Sequence, residues 1–154
     1  MYQTILVAVD GSDCGDLALA EAIRLAAVCK AKLEIVHVVD NSYLKYDMGY
    51  GNLGDLRSDL IKAGRKLLAQ AQAQARAARV ACHTELVDEI LALGDIAMAI
   101  NDAVQRVHAD LVVVGTHGRR GVRRLVMGSV AQGLLCESKV PVLLVRAPGA
   151  TASR

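Results

Sequence analysis

Short apolar runs alternate along the chain with longer stretches in which apolar residues recur every three or four positions. Thr4 to Val9 (TILVAV) is continuously apolar and rich in β-branched residues, the pattern of a parallel strand buried on both faces. Leu33 to Val39 (LEIVHVV), Ala81 to Val87, Asp110 to Gly115 (DLVVVG) and Val140 to Val145 (VPVLLV) are the other predicted strands. Between them the spacing predicts helices. Asp10-Gly11-Ser12-Asp13 supplies turn and N-cap chemistry for the first, over about Cys14 to Lys30, with Ala18, Ala22, Leu25, Ala26 and Cys29 on one side. The second covers about Leu56 to Arg79, with Leu56, Leu60, Leu67, Ala71 and Ala75 facing inward. The third, Asp95 to Val107, carries an Ile96, Ile100, Val104, Val107 stripe, and a short fourth spans Ser129 to Glu137. Asp40 to Gly54, which holds Tyr43, Tyr46 and Tyr50, reads as a long loop with a surface, lid or docking role.

Strands that alternate with helices form parallel sheets through helical crossovers, so the pattern predicts an open five-stranded parallel α/β sheet covered on both faces. The strand order expected for such a chain is 3-2-1-4-5. Its winding reverses between strands 1 and 4, and ligands of such sheets bind at the carboxyl ends of the strands beside that reversal. No linker or repeat interrupts the order, and 154 residues make one domain, 1–154.

Composition narrows this picture. The chain is 53% hydrophobic yet has no Phe and no Trp, so Ala, Val, Leu and Ile must build the core. The longest uncharged run, Leu125 to Cys136, is shorter than the roughly 18 residues of a spanning helix. No basic segment or cleavage site precedes the first strand, which makes the cytoplasm the expected location. Cys14, Cys29, Cys82 and Cys136 are dispersed and form no CxxC pair, so buried free thiols are expected. His37, His83, His108 and His117 are equally scattered and offer no metal framework.

Net charge is only +2, but it is unevenly placed: no acidic residue lies between Asp110 and Glu137, and Arg119, Arg120, Arg123 and Arg124 cluster there. Asp10 to Asp13 and Gly115 to Gly128 are the two segments beside the reversal point. The second is longer than the two to six residues usual for such a connection. Its glycines allow backbone N–H groups to approach an anion, and Gly128-Ser129-Val130 opens a helix whose unpaired N–H groups suit phosphate oxygens. Taken alone, Ser129 would be read equally well as an N-cap and the arginines as a solvated loop. The location of the loop favours an anion cradle.

Gly115-Thr116-His117-Gly118, followed after nine residues by Gly128-Ser129, has the form G-x2-G-x9-G-[ST] and resembles the ATP-binding motif of the universal stress proteins. TILVAVDGSD, His37-Val38-Val39-Asp40 and KVPVLLVR resemble that family's first strand and turn, second-strand end and last strand. The resemblance implies a Rossmann-like, adenine nucleotide alpha hydrolase-like fold with ATP as ligand, ADP or AMP as alternatives, and Mg²⁺ alongside. It places Ala8, Val9 and Asp10 at the adenine and ribose, Val38 at the adenine, and Val114 and Gly115 at the ribose and phosphates. Gly118, Arg119, Gly128, Ser129 and Val130 fall in the phosphate region, with backbone N–H groups and the Ser129 hydroxyl as donors. It also implies a homodimer through the fifth strand, an edge at 140–145 with none of the charges that normally protect an edge. Tail residues 146–154 are the alternative cover.

The resemblance implies a nucleotide-dependent stress-response binding protein. Hydrolysis needs a residue to orient water and usually a metal-bound carboxylate, and the phosphate loop carries no acid. Asp10 and Asp13 are candidate Mg²⁺ partners and His117 a candidate base, which leaves slow ATP hydrolysis or autophosphorylation as the alternative. A P-loop is excluded because no Gly-Lys-Ser or Gly-Lys-Thr occurs. A receiver domain would need a lysine ending strand 5, where Lys139 instead precedes it, and Asp88 as phosphoacceptor. An adenylating pyrophosphatase would want Ser-Gly-Gly where Asp10-Gly11-Ser12 stands. Nucleic acid is disfavoured because no aromatic residue is interleaved with the arginines.

Overall fold

The computed structural model describes residues 1–42, 53–89, 95–118 and 127–148. Strands β1 (Thr4–Ala8), β2 (Lys32–Val38), β3 (Cys82–Val87), β4 (Leu111–Gly115) and β5 (Val142–Val145) alternate with helices α1 (Asp13–Cys29), α2 (Leu53–Ala77), α3 (Ile96–Val107) and α4 (Ser129–Glu137). The sheet order is β3-β2-β1-β4-β5, and every neighbouring pair is parallel.

Each strand sends alternate residues to opposite faces, and two aliphatic cores result. Ile5, Val7, Leu33, Ile35, Leu111 and Val113 meet Ala18, Leu19 and Ala22 of α1 and Leu68, Ala71 and Ala75 of α2. Leu6, Val36, Val112 and Val114 meet Ile100, Ala103 and Val104 of α3 and Leu134 of α4. The small alanines let the helices lie close to the sheet, which is how a core without Phe or Trp fills its volume. Among the described residues no helix is long and apolar enough to cross a membrane.

The predicted ends shift by one to three residues, and Leu53 and Gly54, expected in the long loop, belong to α2. Asp110 precedes β4 rather than starting it: its carboxylate accepts from the N–H groups of Gln3 at 2.8 Å and Thr4 at 3.1 Å, clasping the beginnings of β1 and β4. The fifth strand starts at Val142 because Pro141 has no N–H, although its carbonyl still accepts from the Val112 N–H at 3.0 Å. Lys30, Arg79 and His108 end or follow their helices with positive φ. Leu56, expected on the inner side of α2, is 42% exposed, and the buried line runs through Gly64, Leu68, Ala71 and Ala75. Of the cysteines, only Cys14 is buried; Cys29 and Cys82 are half-buried, and Cys136 is exposed because α4 turns Ala131 and Leu134 inward.

Candidate functional site

The carboxyl ends of β1 and β4 open into a cleft of about 840 Å³. Ala8, Val9 and Asp10 line it from β1, and Val114, Gly115, Thr116, His117 and Gly118 line it from β4. From β2 come His37, Val38, Val39 and Asp40, with Leu60 and Ala63 of α2 beyond them. The opposite wall is the start of α4, including Gly128, Ser129, Val130 and Ala131, together with Asp95, Ile96, Ala97 and Ile100 at the start of α3. The cleft thus combines aliphatic side chains at β2 and α2, beside His37 and Asp40, with the helix start of α4.

Asp10 is held by its own turn. Its Oδ1 accepts from the Ser12 N–H at 3.0 Å and from the Ser12 hydroxyl at 2.5 Å, while Ser12 Oγ accepts from the Gly15 N–H and caps α1. Asp13, the other acid of this turn, is not among the cleft-lining residues. His37 is buried, and its Nδ1 lies 2.7 Å from the carbonyl oxygen of Val9. A Cβ at Gly64 would approach the His37 ring to 2.7 Å, so only a glycine lets α2 settle on that imidazole.

Gly115 and Gly128 serve close approaches. A Cβ at Gly115 would lie 2.8 Å from the Cys14 backbone, so this glycine seats α1 against β4. The Gly128 N–H donates to the Thr116 carbonyl at 2.8 Å and is therefore already engaged. Gly128, not Ser129, is the N-cap of α4, and no side chain caps that helix. The Ser129 hydroxyl is thus not engaged in capping, and the first intrahelical bond comes only at the Gln132 N–H. Ahead of it, the N–H groups of Ser129, Val130 and Ala131 make no hydrogen bond to the described residues, as expected for a first helical turn.

Thr116 joins three parts of the site. Its N–H donates to Val145 of β5 at 2.9 Å, its carbonyl accepts from Gly128, and its Oγ1 lies 2.9 Å from His117 Nδ1.

Of the residues singled out in the sequence, Ala8, Val9, Asp10, Val38, Val114, Gly115, Gly118, Gly128, Ser129 and Val130 all line this one cleft. Arg119, with Arg120, Arg123 and Arg124, lies outside the described residues, as do Tyr43, Tyr46, Tyr50 and tail residues 149–154. The cleft also includes residues that the sequence pattern did not assign to it: His37, Leu60, Ala63, Asp95, Ile96, Ala97 and Glu137. They come from elements far apart in the chain and carry no shared motif. Among the described residues, Asp10, Asp40, Asp95 and Glu137 line the cleft but no Lys or Arg does, and no group of three or more His, Cys, Asp or Glu is placed to hold a metal ion.

Residues 1–146 match the model of the Universal stress protein family. The chain belongs to that family. Universal stress protein MJ0531 of Methanocaldococcus jannaschii is 32% identical over 149 residues, covering 96% of this chain and 84% of that protein. A universal stress protein family member from Burkholderia pseudomallei, known from its crystal structure, is 34% identical with a TM-score of 0.79, over 95% of this chain and 97% of that one. A universal stress protein crystallised in complex with cAMP is 27% identical with a TM-score of 0.66, over 94% of this chain and 97% of the other. In this universal stress protein the cleft thus sits where its sheet topology directs ligands.

Proposed function

We propose that this universal stress protein binds an adenine nucleotide in the cleft between β1 and β4 and acts as a nucleotide-dependent regulatory protein in the stress response. The observation that carries this reading is the joining of an aliphatic slot and an unpaired helix start within one cleft, in a chain related to a cAMP-bound family member. Val38, Val39, Leu60 and Ala63 suit the base, which must be held by aliphatic side chains and backbone. Ala8, Val9, Asp10, Val114 and Gly115 suit the sugar. The N–H groups of Ser129, Val130 and Ala131, the Ser129 hydroxyl and the positive end of the α4 dipole suit the phosphates, near Gly118 and Gly128, with Arg119 an additional phosphate partner.

ATP is the proposed occupant, with ADP and AMP able to fill the same cleft. The carboxylates in the described wall would repel a polyphosphate, which favours entry together with Mg²⁺. That ion commonly binds through one or two carboxylates plus phosphate oxygens rather than through an all-protein cage, so the residues present fit it, with Asp10 the candidate partner. The proposed action is binding and signalling within one domain, in the cytoplasm. Asp95 and Glu137 bring carboxylates to the cleft and so keep slow hydrolysis or autophosphorylation as the second reading.

The proposed assembly is a homodimer through β5. The two sheet edges differ: β3 carries His83 and Glu85, whereas β5 is the uncharged Val142–Val145. Val112 N–H donates to Pro141 and Thr116 N–H to Val145, so by strand alternation the backbone groups of Val142 and Leu144 point away from β4. An unprotected apolar edge favours pairing with a second copy.

A melting curve tests the ligand assignment. ATP with Mg²⁺ at 100 times its dissociation constant should add about 2.7 kcal/mol of stability, and mass spectrometry of the copurified small molecule should find an adenine nucleotide. A melting temperature indifferent to millimolar ATP, ADP and AMP would remove the proposal.

A further inference from the structure

We propose that His117 recognises the phosphate of the bound nucleotide through its Nε2, an inference that deepens the nucleotide-binding reading and rests on it. His117 lies in the cleft wall. Its Nδ1 is 2.9 Å from Thr116 Oγ1. Thr116 is buried and tied on both sides, to Val145 through its N–H and to Gly128 through its carbonyl. The imidazole thus stands on a fixed base with one nitrogen accounted for.

The other nitrogen is not: His117 Nε2 is buried without a hydrogen-bond partner. Buried polar atoms normally have partners, so an orphan in the wall of a binding cleft points to a ligand atom. Its location identifies the chemistry. A Cβ at Gly128 would lie 3.7 Å from His117 Cα, so His117 abuts the N-cap of α4, where the N–H groups of Ser129, Val130 and Ala131 await an anion. When the Thr116 hydroxyl donates to Nδ1, the neutral ring carries its proton on Nε2, and a protonated ring carries one there as well. These two forms present a donor to a phosphate oxygen, whereas the tautomer with its proton on Nδ1 offers only a lone pair there. Asp10, Asp95 and Glu137 in the same cleft are acceptors when ionised and cannot play that part. Because Nε2 is shielded from solvent, the ring must turn toward the cleft for the contact to form.

Isothermal titration of the purified chain with AMP and with adenosine tests the assignment. His117→Ala is expected to weaken AMP binding about tenfold or more, as for loss of one hydrogen bond to a charged group, and to leave adenosine binding nearly unchanged. His117→Gln, whose amide can reach a similar point, should restore part of the loss. The imidazole signals of His117 should shift in NMR spectra on adding AMP and not on adding adenosine. If His117→Ala does not fold, Thr116→Val removes the Nδ1 partner at similar volume and should weaken AMP selectively. Equal losses for AMP and adenosine, or AMP affinity unchanged in the variants, would overturn the role of His117 alone. A wild-type chain that binds neither compound would overturn the nucleotide reading itself, and this inference with it.

Discussion

A Cβ placed on Gly118 would lie 2.9 Å from Oδ2 of Asp10, so the turn leaving β4 closes directly onto the carboxylate that follows β1. That carboxylate cannot simply turn aside. Its Oδ1 is bound to Ser12, and a Cβ on Gly15 would meet the same oxygen at 2.5 Å. Asp10 therefore sits between two glycines, and both approaches depend on the missing side chains.

Gly118→Val should displace the Asp10 carboxylate and weaken ATP binding by about tenfold or more, equivalent to about 1.4 kcal/mol. Gly118 is exposed, so the fold should lose no more than about 1 kcal/mol. Calorimetric titration and denaturant unfolding separate the two effects. In Asp10→Ala the same glycine substitution should have a much smaller effect on affinity, because the residues act as a coupled pair; full additivity would show that the contact does not matter.

Gly115→Ala should act on stability first. The new methyl would press on the Cys14 backbone and Cβ at 2.8 Å, and overpacking of this kind costs about 1–3 kcal/mol. For a chain of this size that corresponds to a melting temperature lower by about 2–12 °C. An unchanged melting temperature would mean that α1 shifts on β4 freely.

Leu144→Lys tests the β5 edge. Leu144 is only partly buried, and a lysine stem can retain part of its apolar contact while the charge resists strand pairing. Sedimentation velocity should find the wild type dimeric and the variant monomeric. A variant that stays dimeric would exclude pairing through this edge.

Glu34 offers a test away from the cleft. It is 2% exposed on β2 and pairs with Lys32 Nζ at 2.5 Å and His83 Nδ1 at 2.9 Å, both on exposed side chains. Replacing a buried ion pair with apolar residues is often neutral or stabilising, whereas removing one partner strands a charge. Glu34→Leu should therefore change unfolding free energy by less than about 1 kcal/mol in the destabilising direction, while the Lys32→Ala, His83→Ala double variant should lose more than that. A Glu34→Leu loss above about 3 kcal/mol would show that the ion pairs are net stabilising here.

Much of the architecture was legible in local pattern. Strands buried on both faces need continuous aliphatic runs, and TILVAV and DLVVVG have them; helices facing a sheet need a stripe, and Ile100 and Val104 lie on the predicted one. The glycine spacing likewise pointed to the end of the sheet where the cleft opens. Where the pattern misled, a neighbour was decisive. Leu56 fits the helical stripe but is 42% exposed, and Ser129 resembles an N-cap although Gly128 takes that position.

From the sequence by itself came the parallel α/β sheet, its order, and the family motif, because these rest on the chemistry of neighbouring residues and on a few topological rules. Tertiary structure decided which groups at the cleft remain available. Thr116 engages the Gly128 N–H, Ser12 fixes Asp10, and His37 reaches Val9 from the adjacent strand. It also brought Leu60, Asp95 and Ile96 to the same cleft. The contact of His37 with Val9 joins strands far apart in the chain, and the arrival of Leu60, Asp95 and Ile96 depends on how the helices seat on the sheet. No local pattern encodes that.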